Sequence, residues 1–194
     1  MKKYIISLGI GLAVAFSGCA NNQPQTNSFS CQIDGTQAPK WVCNPEDMEG
    51  AIVAVGSAQK NAGNDFQFQK EEAMQAARDA LARRISVKVK NMFKQFKSTT
   101  GTGANQTFDK ATESVSKQVA SQVLNGTKQE NLWISPKGTM FVEVSMPTAQ
   151  VKQAVKEAVK TSYQNNKALY QKFLGKKAQE ELDSAVEKEF GGAK

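Results

Sequence analysis

TMFVEVSM, residues 139–146, puts Met140, Val142, Val144 and Met146 at every second place, with Phe141, Glu143 and Ser145 between them. A period of two marks a β-strand whose two faces meet different surroundings. The expectation is an antiparallel strand with one face on a core and the other largely wet. Pro136-Lys137-Gly138 and the run Lys128 to Ser135 stand just before it, so the two runs read as a hairpin. Further upstream AIVAVGSA, residues 51–58, is a short apolar run ended by Gly56 and reads as a buried strand.

Between these strands the period changes. Ala73, Ala77, Leu81, Ile85, Val89, Phe93 and Phe96 recur at three- and four-residue spacing, which makes one apolar stripe along a helix. Glu71 and Glu72 near its start and Lys94 and Lys97 near its end suit the helix dipole. STTGTGANQ (98–106) breaks the pattern; its GTG has no strand before it and no lysine after it in register, so it reads as a connector rather than a phosphate loop. A second helix from about Gln106 to Leu124 carries Phe108, Ala111, Val115, Val119 and Val123 on one face, and Asn125-Gly126 ends it. After Pro147-Thr148 a third helix turns Val151, Val155, Ala158, Val159 and Ser162 inward and continues through Tyr170 and Phe173 to Gly175. Lys176 to Phe190 reads as another amphipathic helix, with Leu182, Val186 and Phe190 on its apolar side. The fold class is α+β: a small, mainly antiparallel sheet packed on long amphipathic helices, in the order β-α-α-β-β-α with a C-terminal helical extension.

The N-terminus reads as an address. Lys2 and Lys3 precede a 13-residue apolar stretch, YIISLGIGLAVAF, which has the length of a signal-peptide core and is too short to span a bilayer. Ser17 and Gly18 are small, and Cys19 follows. This resembles the lipobox of bacterial lipoproteins, with Phe16 where Leu, Val or Ile is usual. The resemblance implies that Cys19 receives diacylglycerol and palmitate and becomes the mature N-terminus. ANNQPQTNSFS, residues 20–30, has no charge and one aromatic residue, as suits a tether. Ala20 is not the aspartate that retains lipoproteins in the inner membrane, so the sorting rules point to the outer membrane.

Cysteine usage agrees with export. Cys31 and Cys43 are the even pair left in an oxidising compartment, and Asp34-Gly35 and Pro39 between them are turn formers, so a disulfide is expected. The organisation is then a signal peptide (1–18), a lipid-anchored tether with a disulfide loop (19–38), an α+β domain (39–174) and a C-terminal amphipathic helix (175–194). The formal charge is +7, or +5 without Lys2 and Lys3. Its lysines interleave with acids along helices, as in KEEAMQAARDALARR, so no nucleic-acid partner is expected.

Catalytic chemistry finds little purchase. The chain has no histidine, which removes the commonest general base, and no set of ligands for a tetrahedral metal site; no cofactor is expected beyond the lipid. Glu71-Glu72 and Glu180-Glu181 are adjacent on helices and point about 100° apart, so they cannot bracket one substrate bond. Arg78, Arg83 and Arg84 share one helix and read as surface ion-pair partners. Trp41 and Trp133 could stack sugars, though packing is the commoner role.

PKWV (39–42), IVAVGSA (52–58), EEAMQAARDALARRI (71–85) and TMFVEVSM (139–146) together resemble the Lpp-twenty family of small bacterial lipoproteins. There a Trp-bearing turn leads to a V-G-x-A strand, an Ala/Arg-rich helix and a late F-V-x-V strand. The resemblance implies a non-enzymatic lipoprotein of the outer membrane. One branch is similar to flagellar assembly lipoprotein P, which implies a structural role in motility structures and a homo-oligomer or envelope proteins as partners. Leu182, Val186 and Phe190, on the C-terminal helix, are the expected self-association face. The other class open to the sequence is a periplasmic or surface-exposed binding module for peptidoglycan, a ligand or a host molecule.

Overall fold

The computed structural model describes residues 30–100, 106–165, 167 and 173–191. Cys19, the signal segment and the tether through residue 29 lie outside the described residues, as does Tyr170. In chain order, strands β1 (Gln32–Ile33) and β2 (Thr36–Gln37) lead to a short helix α1 (Lys40–Cys43), then to β3 (Ala51–Ala58) and a long helix α2 (Phe66–Thr100). Helix α3 (Gln106–Gly126) returns to the hairpin of β4 (Lys128–Ile134) and β5 (Met140–Pro147). Helices α4 (Thr148–Gln164) and α5 (Lys176–Phe190) complete the chain's described elements. The class is α+β, as the alternating and helical patterns predict.

β5 is the central strand of an antiparallel sheet of order β3-β5-β4. Ala54 lies opposite Val144 and Gly56 opposite Val142 on one flank, with Leu132 opposite Val142 on the other. A bulge between Gln129 and Asn131 shifts the register of β4. Met140, Val142, Val144 and Met146 are buried on the face that α2 covers. The opposite face is less wet than its alternation suggests. Glu143 and Ser145 are only 2% and 3% exposed. Strands flank β5 on both sides, and α1 lies against it, so polar residues there are covered and bonded within the protein.

The strand does not stop at Gly56; it runs through to Ala58. Glycine is required there because α2 crosses at close range. A Cβ on Gly56 would lie 2.1 Å from the backbone N of Ala77 and 2.5 Å from the carbonyl oxygen of Ala73. Ala73 and Ala77 are fully buried, so the helix meets the strand through its smallest residues. Asp65 starts α2: its Oδ1 accepts the Phe68 N–H at 3.0 Å, while its own N–H donates to Asn61 Oδ1 at 2.9 Å. Further along, Leu81, Ile85, Val89, Phe93 and Phe96 continue the buried stripe. Phe93 meets Phe108 of α3 edge-on, with ring centroids 5.7 Å apart. Ala111, Val115 and Val119 carry α3 into the same core; the side chain of Val123 lies outside the described residues.

α5 belongs to this core as well. Leu182, Val186 and Phe190 are 4%, 0% and 2% exposed and pack in the cluster formed with α2 and α4. Two ion pairs join α4 to α5: Lys152 to Glu187 at 2.8 Å and Lys156 to Asp183 at 2.7 Å. This corrects the reading of Leu182, Val186 and Phe190 as a self-association face. An apolar stripe on a late helix has the same sequence pattern whether it meets a second copy or its own domain. Here it meets its own domain. Near the end of α4, Tyr163 sits edge-on to Phe173 at 5.1 Å, and burial pushes its phenol up to about 12.

Candidate functional site

The segment from Cys31 to Asp47 forms a cap on the sheet, built from very local chemistry. Asp34 and Gly35 both have positive φ, 54° and 76°, the requirement of a two-residue turn that matches strand twist. β1 and β2 pair around them, and the Ala38 N–H donates to the Cys31 carbonyl at 2.8 Å. Cys31 and Cys43 are joined by a disulfide, with their Cα atoms 5.8 Å apart. Cys31 and Ala38 are 2% and 3% exposed, so residues 31–38 pack as part of the domain rather than as tether. The bridge closes a loop with a sequence separation of 12, for which chain entropy gives about 3 kcal/mol of stabilisation. Cys31→Ser with Cys43→Ser is accordingly expected to lower the unfolding free energy by about 3 kcal/mol while leaving a folded chain. Urea titration with and without reductant reads this directly. Thiol labelling of the unreduced, unfolded wild-type protein should modify neither cysteine.

Two contacts lock the cap to the sheet. Asp34 Oδ2 accepts the Lys137 N–H at 3.2 Å, so the β1–β2 turn meets the β4–β5 turn. The Ser135 hydroxyl foremost, aided by the Lys137 N–H and ammonium, holds the Asp34 carboxyl below the usual carboxylate range. At the opposite edge, Asp47 Oδ1 accepts the Val53 N–H at 3.1 Å and pairs with Arg84 Nη1 at 3.0 Å. Arg84 Nη1 in turn donates to the Val53 carbonyl. Both outward-facing backbone groups of Val53 are thus occupied by side chains, and β3 is closed to further strand pairing at that point. From the sequence, Arg84 reads as one of three surface arginines. Its partner Asp47 is 37 positions away in the chain, with no periodicity to link them.

The remaining candidates scatter. Arg78 donates to Thr127 Oγ1 at 3.0 Å, and Arg83 is exposed, so the three arginines do not converge. Glu180 and Glu181 pair with Lys176 and Lys177 one turn earlier, and Glu71 and Glu72 are exposed. Glu143 Oε2 accepts the Asn131 Nδ2–H at 2.7 Å, and the Ser145 hydroxyl donates to Glu130. Trp133 and Phe141 are half-buried neighbours, with centroids 5.6 Å apart. Trp41 is half-buried on α1. Between α2 and α3 lies a groove of about 370 Å³ lined by Lys90, Phe93, Lys94, Phe108, Asp109, Thr112 and Glu113. Lys90 and Glu113 pair across 3.3 Å, so the groove offers mixed charge rather than a convergent anion or cation site. Among the described residues, no three His, Cys, Asp or Glu side chains are grouped to hold a metal ion.

These features define a small α+β domain whose sheet is backed by a long Ala-rich helix and capped by a disulfide loop. Residues 39–147, from the Trp-bearing α1 through β5, match the LPP20 lipoprotein family. The chain belongs to that family, a group of envelope lipoproteins that is not a known enzyme family. Among the described residues no helix is long and apolar enough to cross a membrane. No curated protein and no solved structure matches the chain. The two most regular motifs of the matched region have plain physical causes. The V-G-x-A strand carries glycine where α2 crosses, and the Ala-rich helix supplies the small side chains that meet it.

Proposed function

We propose that this is an outer-membrane lipoprotein, anchored through diacylglycerol and palmitate on Cys19, with a non-catalytic structural or assembly role in the cell envelope. The family match over residues 39–147 carries this reading, and the small residues and Cys19 after a 13-residue apolar run support it. Flagellar motor structures are the machinery suggested by the branch of the family that is similar to flagellar assembly lipoprotein P. Partners in such a role are further copies of the chain or other envelope proteins. With α5 spent on the core, β4 is the strand available for such contacts. It is an edge strand, and no other strand pairs with its outer side among the described residues.

Cys19→Ser is expected to abolish labelling by radioactive palmitate and to move the protein from the membrane to the soluble fraction. Wild-type protein found in membranes without lipid on its N-terminal peptide would remove the anchor. Sucrose-gradient separation of the two membranes tests the destination. Native mass of the detergent-extracted protein, with motility of a deletion strain, tests the assembly role. A second reading, a peptidoglycan-binding module, is favoured by the half-exposed Trp133–Phe141 pair, since aromatic faces stack on sugar rings. A monomeric protein that sediments with purified sacculi, and loses this with Trp133→Ala, would favour it over assembly.

A further inference from the structure

Three of the six large apolar side chains left in water among the described residues lie on elements that meet at one end of the domain, while Met48, Val87 and Leu174 lie apart from them. Phe66 and Phe68, in the first turn of α2, are 48% and 58% exposed, and Ile134 at the end of β4 is 42% exposed. Hydrogen bonds bring the elements that carry them together. Gln69, one turn from Phe66 and next to Phe68, donates through Nε2 to the Gly138 carbonyl at 2.8 Å and the Ala58 carbonyl at 3.0 Å. The α2 start therefore sits against the β4–β5 turn, and Ile134 immediately precedes that turn. Lys60 lies over Gly138, and the Lys137 side chain is 80% exposed, so two amines border the same patch. Of the nearby acids, Asp65 is bonded to the α2 start, and Asp34 accepts the Lys137 N–H and lies 3.9 Å from the Lys137 ammonium, a long pair on an amine that stays largely in water; Glu71 and Glu72 lie further along α2.

The chain enters the domain at this same end. Asp34 touches Lys137, and Cys31 is three residues before Asp34, within about 10 Å along any backbone path. Only residues 20–30 separate Cys31 from Cys19, a span of at most about 40 Å even if fully extended. That is no more than the diameter of a domain this size. An anchor at Cys19 therefore keeps this end within about 40 Å of the lipid, closer than the opposite end of the domain can be held.

We propose that this end seats on the bilayer surface that receives the anchor, with Phe66 and Phe68 among the lipid headgroups and Lys60 and Lys137 beside anionic phosphates. Aromatic rings suit that depth, where an apolar body meets a wet polar layer. Lysines near the surface add attraction to anionic lipid. The partner is the membrane itself, and the inference rests on the reading that Cys19 is acylated. One acyl-bearing residue supplies the first membrane contact, and this patch supplies a second that fixes which way the domain faces.

Hydrogen exchange decides it, comparing the acylated chain in phosphatidylethanolamine–phosphatidylglycerol vesicles with the Cys19→Ser chain in solution. Amides at 62–68 and 134–138 are expected to exchange about tenfold more slowly on vesicles. Phe66→Ser with Phe68→Ser, both on exposed positions, should return the 134–138 amides to the solution rate while the protein stays acylated and vesicle-bound. Exchange at both segments equal to that of the Cys19→Ser chain, in protein whose Cys19 lipid is verified by mass, would overturn the docking and leave the anchor intact. Protein that carries no lipid on Cys19 overturns both. Slowing confined to β4, and dependent on protein concentration, would assign the surface to contact between copies and also overturn the docking.

Discussion

Gly56→Ala is expected to lower the unfolding free energy by about 3 kcal/mol, and Gly56→Val to leave no cooperative unfolding transition at 25 °C. The new Cβ would meet backbone, not a side chain that could swing aside: the N of Ala77 at 2.1 Å and the carbonyl oxygen of Ala73 at 2.5 Å. Relief requires α2 to lift from β3, and that helix lies across both β3 and β5. Lifting it loosens the packing of Ala73, Ala77 and Leu81 together, all of them fully buried. The neighbouring Ser57 is exposed, so Ser57→Ala is a fair control and should change stability by less than about 0.5 kcal/mol. Urea titration followed by helical circular dichroism reads both. A Gly56→Ala protein as stable as wild type would mean that α2 does not approach the strand this closely.

Gly56 also shows where the sequence is legible and where it is not. Period-two alternation in TMFVEVSM and the stripe from Ala73 to Phe96 follow from repeating geometry, and both elements lie where those patterns put them. A glycine inside an apolar run gives two local readings, a strand end or a close approach, and only the crossing helix distinguishes them. Glu143 poses the same difficulty. Its place in the alternation points away from the main core, but whether that face is wet depends on the cap from residues 31–47, folded from a separate part of the chain. The Asp47–Arg84 clasp on Val53 was invisible for a related reason: each residue alone resembles an ordinary surface charge, and its role exists only through tertiary contact. The anchor proposed at Cys19 is the opposite case. Signal peptides and lipoboxes are read by sequence-recognising enzymes, so a signal of that kind needs no fold to be legible.

Leu182→Asp with Val186→Asp is expected to unfold the chain, not to yield a folded protein of lower mass. Both positions sit one turn apart on α5 and face the cluster of α2 and α4, at 4% and 0% exposure. Each substitution forfeits about 1.5–3 kcal/mol of apolar burial. Each also forces either a carboxylate into an apolar cluster or protonation of that carboxyl, at a further cost of several kcal/mol. The sum exceeds much of the 5–15 kcal/mol that holds a typical domain together. α5 could respond by detaching alone, but the faces of α2 and α4 that it covers would then meet water, and the Lys152–Glu187 and Lys156–Asp183 pairs would part. Ser184→Asp, on the exposed side of the same helix, controls for added charge and should leave stability within about 0.5 kcal/mol of wild type. Circular dichroism and analytical ultracentrifugation separate the outcomes. Loss of cooperative unfolding with the double substitution supports α5 as part of the fold. A well-folded monomer derived from a wild-type oligomer would show instead that these side chains are buried between copies, and that α5 is exchanged or donated across an interface.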